Sequence, residues 1–408
     1  VKNIFNKRYF SIFKNNPDLI YMDSAASTQT HDSVLQAMHR YYTEYRANVG
    51  RGEYPLSEQA TIAVDIAREQ VASLLSTTAD HILFTSGATQ GLNMVANWNK
   101  SVPQVIITEL EHNANIVPWL AQGRTVHNNQ LRVIPSSGST INIDKAVEIL
   151  EEAPAGSLLS ITMVSNVSGV DVCTDRLIKM ARSLGHQVCI DACQGMPYCL
   201  PAGIASGLFS TIIDADYLVF SAHKMYGPTG VGAVYVKHNL DKMRPQYFGG
   251  GAVANVTFDG IEYSTGVSKH EPGTPNIASI IGFGQIAEMY SYVGYEKILD
   301  LYLNKFKLSR QYFANIPGLT PVGRSDASTR LSVSMATFIP NNHHSSDIST
   351  LLSRTNLAVR TGRLCSHPYV DKISKGKGVV RLSWGLYNDE DDFRQAREIL
   401  ENTMKKLN

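Results

Sequence analysis

The chain has 408 residues, 43% hydrophobic and 18% charged. That balance excludes a disordered chain or a disulfide-stapled peptide and leaves material for two to three domains at roughly 150 residues each. Lys and Arg number 37 against 36 Asp and Glu, a net charge of +1, so nothing global directs the chain to nucleic acid or an anionic membrane, and any anion is bound locally.

Residues 1–16 lack the apolar block of a secretory signal, and no window offers the roughly 18 to 20 apolar residues of a membrane span. The expected setting is the cytoplasm, without a membrane or nucleic-acid partner. The five cysteines, Cys173, Cys189, Cys193, Cys199 and Cys365, are an odd number and are expected to be reduced. Cys189, Cys193 and Cys199 have neither a paired C-x-x-C nor spaced histidines, so no metal site is expected.

In chain order, β-rich runs at 81–85, 104–108, 131–134, 158–165, 187–191, 216–220 and 231–236 alternate with helical patterns at 57–75, 89–98, 144–151 and 174–184. This predicts an α/β layer with a mainly parallel sheet covered by helices on both faces, and active groups at the carboxyl ends of its strands. Beyond about residue 275 the pattern changes to long helices at 276–292 and 295–314, strands near 331–338 and 379–384, and a charged helix from Asp389. These predict a smaller α+β domain.

Five strand ends carry polar groups suited to chemistry. Asp216-Tyr-Leu-Val-Phe-Ser221-Ala-His223-Lys224 ends a buried run on a lysine, which reads either as a solvated strand-end residue or as a Schiff-base lysine held on a stiff support. Gln187-Val-Cys-Ile-Asp191-Ala-Cys-Gln194 delivers a carboxylate that is either a cap or the partner of a protonated pyridine nitrogen. Ser86-Gly87-Ala88-Thr89 opens a helix, giving a capped turn or a phosphate cradle. His112 follows the strand at 104–108 and is either structural or stacked on a cofactor ring. Asn166 ends a further strand. Together the groups describe a site for a flat phosphorylated aldehyde.

The C-terminal part adds Arg360-Thr-Gly-Arg363-Leu-Cys365, a cysteine in a polar loop flanked by arginines, and Arg381 within a strand pattern. A thiolate is favoured beside such cations. A guanidinium in a strand needs an anion, either a structural carboxylate or that of an amino acid.

These motifs, with Tyr21-Met-Asp-Ser-Ala-Ala-Ser27, Glu111-His-Asn-Ala-Asn-Ile-Val-Pro-Trp119 and Glu271-Pro-Gly-Thr-Pro-Asn276, resemble the pyridoxal-phosphate cysteine desulfurases of the class V aminotransferase superfamily, in particular their SufS-type (group II) branch. The resemblance implies a fold-type I transferase with a seven-stranded sheet. Its implied division is an N-terminal segment at 1–20, a large cofactor domain at 21–290 and a small domain at 291–408. It also implies pyridoxal 5'-phosphate held by Lys224, Asp191, Gln194, His112, Ala88, Thr89, Ser221 and His223, joined by Thr274 from the second subunit of a homodimer. Lys224, Cys365 and His112 would be catalytic, with Arg381, Asn166 and Arg360 binding substrate. The implied substrate is L-cysteine, converted to L-alanine with a persulfide on Cys365 for iron–sulfur cluster assembly through a small acceptor of the SufE or SufU kind. Selenocysteine lyase, an epimerase or another C–S lyase is the alternative. The chain departs from the branch at Gly50-Arg51-Gly52-Glu53-Tyr54, where two histidines are usual, at Arg363-Leu364 before Cys365, at Ala88, and at Leu382 in Arg381-Leu-Ser383, where Arg-Ala-Ser is usual.

Overall fold

The computed structural model describes residues 4–172, 175–198, 214–323 and 334–407. Its centre is a seven-stranded sheet formed by β1 (Ile82–Thr85), β2 (Val105–Thr108), β3 (Leu131–Ile134), β4 (Leu158–Thr162), β5 (Gln187–Asp191), β6 (Tyr217–Ser221) and β7 (Gly232–Val236). The spatial order is β1-β7-β6-β5-β4-β2-β3. Only β7 runs against its two neighbours, so the other six strands end at one edge. β2, β4, β6 and β7 are buried at every position, as near-continuous apolar runs must be when helices cover both faces.

Each sequence-predicted strand in this region is present: 131–134 and 187–191 have the expected bounds, 216–220 is shifted by one residue to Tyr217–Ser221, and the others are shorter. The run expected to reach residue 165 pairs only as far as Thr162, because the chain then folds back, with Ser165 N–H donating to Val170 O at 3.0 Å. Helix α1 (Asp32–Glu44) and a hairpin of Val253–Thr257 with Gly260–Tyr263 were not predicted. Helix α2 (Pro55–Ser73) begins with proline in its first turn, where the missing N–H costs nothing. Helix α3 (Ala88–Trp98) follows Gly87, whose φ of +150° side chains rarely adopt.

A second, antiparallel sheet carries the C-terminal residues: β8 (Leu319–Val322), β9 (Met335–Pro340), β10 (Arg360–Gly362) and β11 (Val379–Ser383), in the order β8-β9-β11-β10. Of the strand expected near 331–338, residues 331–333 lie outside the described residues. The expected long helices are α4 (Ile277–Val293), α5 (Tyr295–Phe313) and the final α6 (Glu390–Leu407). The N-terminal segment joins this sheet's side of the molecule: Ile20–Tyr21 pairs in parallel with Leu357–Ala358, and Asp23 bridges to Ser383. None of the described helices is long and apolar enough to cross a membrane.

Candidate active site

The carboxyl edge of the large sheet and the face of the small one enclose a cavity of about 460 Å³, a volume ordinary for a small-molecule site. Two other cavities, of about 620 and 740 Å³, gather no comparable set of nucleophile, base and anion-binding groups. Chemistry rather than volume marks the site.

Past Ser221 the chain tightens into a 3-10 turn at Ala222–Lys224. Gly227 is required just beyond, since a Cβ there would meet Ala222 O at 2.9 Å. This rigid turn carries Lys224 into the cavity, where its Nζ donates to Ala25 O at 3.1 Å. Burial lowers the pKa of the amine, and Arg381 and Arg360 act in the same direction against Cys193 and Asp191. A lowered pKa favours the neutral, nucleophilic form of the amine.

Asp191 is the last residue of β5 and lines the same cavity. Its Oδ1 accepts from Cys193 N–H at 3.1 Å, so the carboxylate caps its own turn while facing the cavity. Gln194 donates to Ala25 O at 2.7 Å. His112 accepts from Ala114 N–H through Nδ1 at 3.1 Å, which leaves the ring proton on Nε2. Burial first, then Lys224 and Arg381, push its pKa down to about 4 despite Asp191, so the ring is neutral and apt for stacking.

At the opposite end Ala88 N–H donates to Ser221 Oγ at 2.8 Å. With Thr89 and the first turn of α3, these groups bring a helix N-terminus to the cavity, a setting that suits an anion. His223 contacts Ser27 Oγ at 3.2 Å, and burial followed by Lys224 lowers its pKa to about 4. Thr274 is exposed and lies outside this cavity.

The other wall comes from the small sheet. Cys365 is exposed at the cavity rim. Leu364 and Cys365 have φ of +51° and +55°, two successive left-handed residues without glycine, which surrounding bonds must hold. Those bonds are present. Asn113 N–H donates to Cys365 O at 2.6 Å, Asn166 Nδ2 to Leu364 O at 2.7 Å, and Ser366 Oγ to Glu111 O at 3.0 Å. Asn166 therefore lines the cavity while clamping the cysteine loop. Arg381, buried in the middle of its sheet, donates from Nη1 to Asn166 O at 2.7 Å and from Nη2 to Asp23 at 3.2 Å, whereas its Nε has no partner. Burial lowers its pKa only to about 10, so it stays cationic.

The fit to pyridoxal phosphate rests on these observations: a buried amine with lowered pKa, a carboxylate and a helix N-terminus lining the same cavity, and a buried arginine there with an orphaned guanidinium nitrogen. Every predicted site residue except Thr274 lines this one cavity. Sequence reasoning missed three neighbours. Asp23 accepts from both Arg360 and Arg381. Cys193 lies in the cavity wall with its thiol pushed well up by burial. Glu111 is fully buried, bonded to Thr108 and Asn115, with its pKa raised to about 7 by burial. Asp23 sits in the quoted Tyr21-Met-Asp motif, which was the available signal. Cys189 is buried in β5, and Cys173 and Cys199 lie outside the described residues. No cluster of His, Cys, Asp or Glu among the described residues is arranged to hold a metal.

Comparison with known proteins agrees with this geometry. The chain is 32% identical over 392 residues to a probable cysteine desulfurase of Vibrio cholerae, covering 94% of this chain and 93% of the relative. It is 34% identical over 387 residues to a cysteine desulfurase of Escherichia coli O127:H6, covering 93% and 91%. Among solved structures, the cysteine desulfurase CsdA of Escherichia coli, in an S-sulfonic acid form, superposes with a TM-score of 0.83 at 28% identity over 98% of each chain. The apo cysteine desulfurase of Thermococcus onnurineus NA1 gives a TM-score of 0.84 at 26% identity, covering 97% of this chain and 96% of that one. The sequence pattern of the family described as Aminotransferase class-V matches residues 20–395. With that match added to the fold-type I sheet and its strand-end site, the chain belongs to the class-V aminotransferase family.

Proposed function

We propose that this chain is a pyridoxal-phosphate-dependent cysteine desulfurase of the SufS-type branch, converting L-cysteine to L-alanine and supplying sulfur for iron–sulfur cluster assembly. The observation that carries the reading is the convergence of the buried Lys224 amine, Asp191 and the unpartnered Nε of Arg381 on one cavity whose rim holds the Cys365 thiol. Bound there, pyridoxal phosphate supplies an electron sink for the pair left on the substrate α-carbon.

Lys224 would hold the cofactor aldehyde and would take the substrate α-proton as the base. Burial lowers its pKa below the ordinary lysine value, the direction a general base needs. Asp191 would hold a proton on the ring nitrogen, Gln194 would bind the ring hydroxyl and neutral His112 would cover a ring face. Ser221, His223, Ala88 and Thr89 would receive the phosphate. Arg381 and Arg360 bind the substrate carboxylate, with Asn166 beside them. Cys365 attacks the substrate sulfur. The new S–S bond forms as the Cβ–S bond breaks, and that electron pair leaves with the carbon skeleton, which is protonated to alanine. A small acceptor protein of the SufE or SufU kind then removes the persulfide sulfur.

The protein acts as a cytoplasmic homodimer in which Thr274 of one copy completes the phosphate site of the other. The working division is 1–20, 21–290 and 291–408, with the cysteine loop on the last.

Reconstitution with pyridoxal phosphate, gel filtration and borohydride reduction should leave a pyridoxyl group on Lys224, and L-cysteine should yield alanine. A colourless protein without adduct would reassign it as a non-catalytic scaffold. Alanine from L-selenocysteine but not from L-cysteine would reassign it as a lyase.

A further inference from the structure

The small sheet presents an unfavourable pairing. Arg360 on β10 and Arg381 on β11 are direct cross-strand partners, and like charges so placed repel. Both line the same cavity as Cys365, so on the proposed reading they border the sites of the substrate carboxylate and of the substrate sulfur alike. Left alone, two guanidinium groups there would form a dication suited to a doubly anionic ligand.

Asp23 changes that charge. The segment carrying it is fixed by pairing at both ends: Ile20–Tyr21 with Leu357–Ala358, and Asp23 itself with Ser383. Its carboxylate accepts from Arg360 Nε and Nη2, each at 3.1 Å, and from Arg381 Nη2 at 3.2 Å. Arg381 Nη1 is taken by Asn166 O. The one nitrogen of Arg381 without a partner is Nε, on a side chain only 2% exposed. Two cations and one fixed anion leave a single positive charge.

We propose that Asp23 is a positioning residue that sets substrate specificity by charge: it neutralises half of the arginine pair, so that the site accepts one carboxylate and disfavours amino acids with an anionic side chain. This rests on the proposed desulfurase reading, which makes the arginine pair the carboxylate site. Among the described residues no other carboxylate pairs with both arginines.

The test compares wild type, Asp23→Asn, Arg360→Gln and the double variant. Each is assayed for alanine release from L-cysteine and L-cysteinesulfinate, and the cofactor-loaded proteins are titrated with L-alanine and L-aspartate by visible absorbance. Asp23→Asn should raise the ratio of kcat/KM for cysteinesulfinate over cysteine about tenfold, with a parallel gain for aspartate over alanine binding. Arg360→Gln should lower both ratios, and the double variant should return them to near the wild-type values. A merely structural Asp23 would depress both substrates equally and show no charge rescue, and that result overturns the proposal. If Asp23→Asn does not fold, an unchanged or raised ratio in Arg360→Gln overturns it. Absence of alanine from L-cysteine in wild type would instead refute the desulfurase reading, and the absorbance titrations would still decide the role of Asp23.

Discussion

The two walls of the cavity are built from different material. The large-sheet wall is set by parallel strands buried on both faces, whose last residues, Asp191 and Ser221, lead directly into the reactive groups. The small-sheet wall depends on a cysteine loop with two strained residues and on arginines held by side-chain bonds from distant segments. A stiff, dry wall suits proton chemistry on a fixed cofactor, because burial tunes the amine and the imidazole there. A rim thiol suits sulfur transfer, because Cys365 remains accessible to a second protein.

This contrast predicts that loss of the lysine in the first wall removes cofactor retention together with turnover, whereas substitutions in the second wall remove turnover alone. Lys224→Ala should lose the borohydride-trapped adduct and about 10³-fold or more in alanine release, within the range for losing a positioned base and nucleophile. Cys365→Ala should abolish desulfuration with unchanged cofactor absorbance. Equal loss of absorbance in both variants would erase the distinction. Asp191→Asn should cost about 10²-fold in turnover while leaving the adduct on Lys224, as measured by mass.

The pH dependence sharpens the same comparison. Protonated Lys224 cannot take the α-proton, so activity should fall as pH drops through a value below the ordinary 10.5 of lysine, and a pH–rate profile reads this limb. His112 and His223 should affect stability instead. Both have pKa values near 4 when folded against an ordinary 6.5, so between those values the unfolded chain binds more protons. Their contribution is therefore complete above about pH 6.5 and lost as pH falls toward 4, on the order of 1 kcal/mol per histidine. Thermal melts of the cofactor-free protein across that window should show the decline, and His223→Gln should flatten it.

Much of the first wall was legible in the sequence for the reason that makes it rigid. A strand buried on both faces reads as an unbroken apolar run, and the polar residue that ends it stands out, as Asp191, His112 and Lys224 do. The second wall was legible only in part. Arg381 and Cys365 are conspicuous by composition, but the bonds that position them join residues hundreds apart, such as Asp23 with Arg381 and Asn166 with Leu364. No local periodicity encodes such pairs. Asn166 was read as a substrate contact, and its amide is the clamp of the cysteine loop. Helix α1 and the 253–263 hairpin escaped because neither gives a plain apolar run: only Val34 and Tyr41 of the helix are buried, and the hairpin is almost wholly exposed.

The division of labour between the two walls is tested most directly by one turnover. Cofactor-loaded protein mixed with a single equivalent of L-cysteine, quenched and digested, should show one added sulfur atom on the peptide containing Cys365, one equivalent of alanine and no sulfur on Cys193. Alanine formed at the wild-type rate by Cys365→Ala, or sulfur found on a different cysteine, would contradict the account.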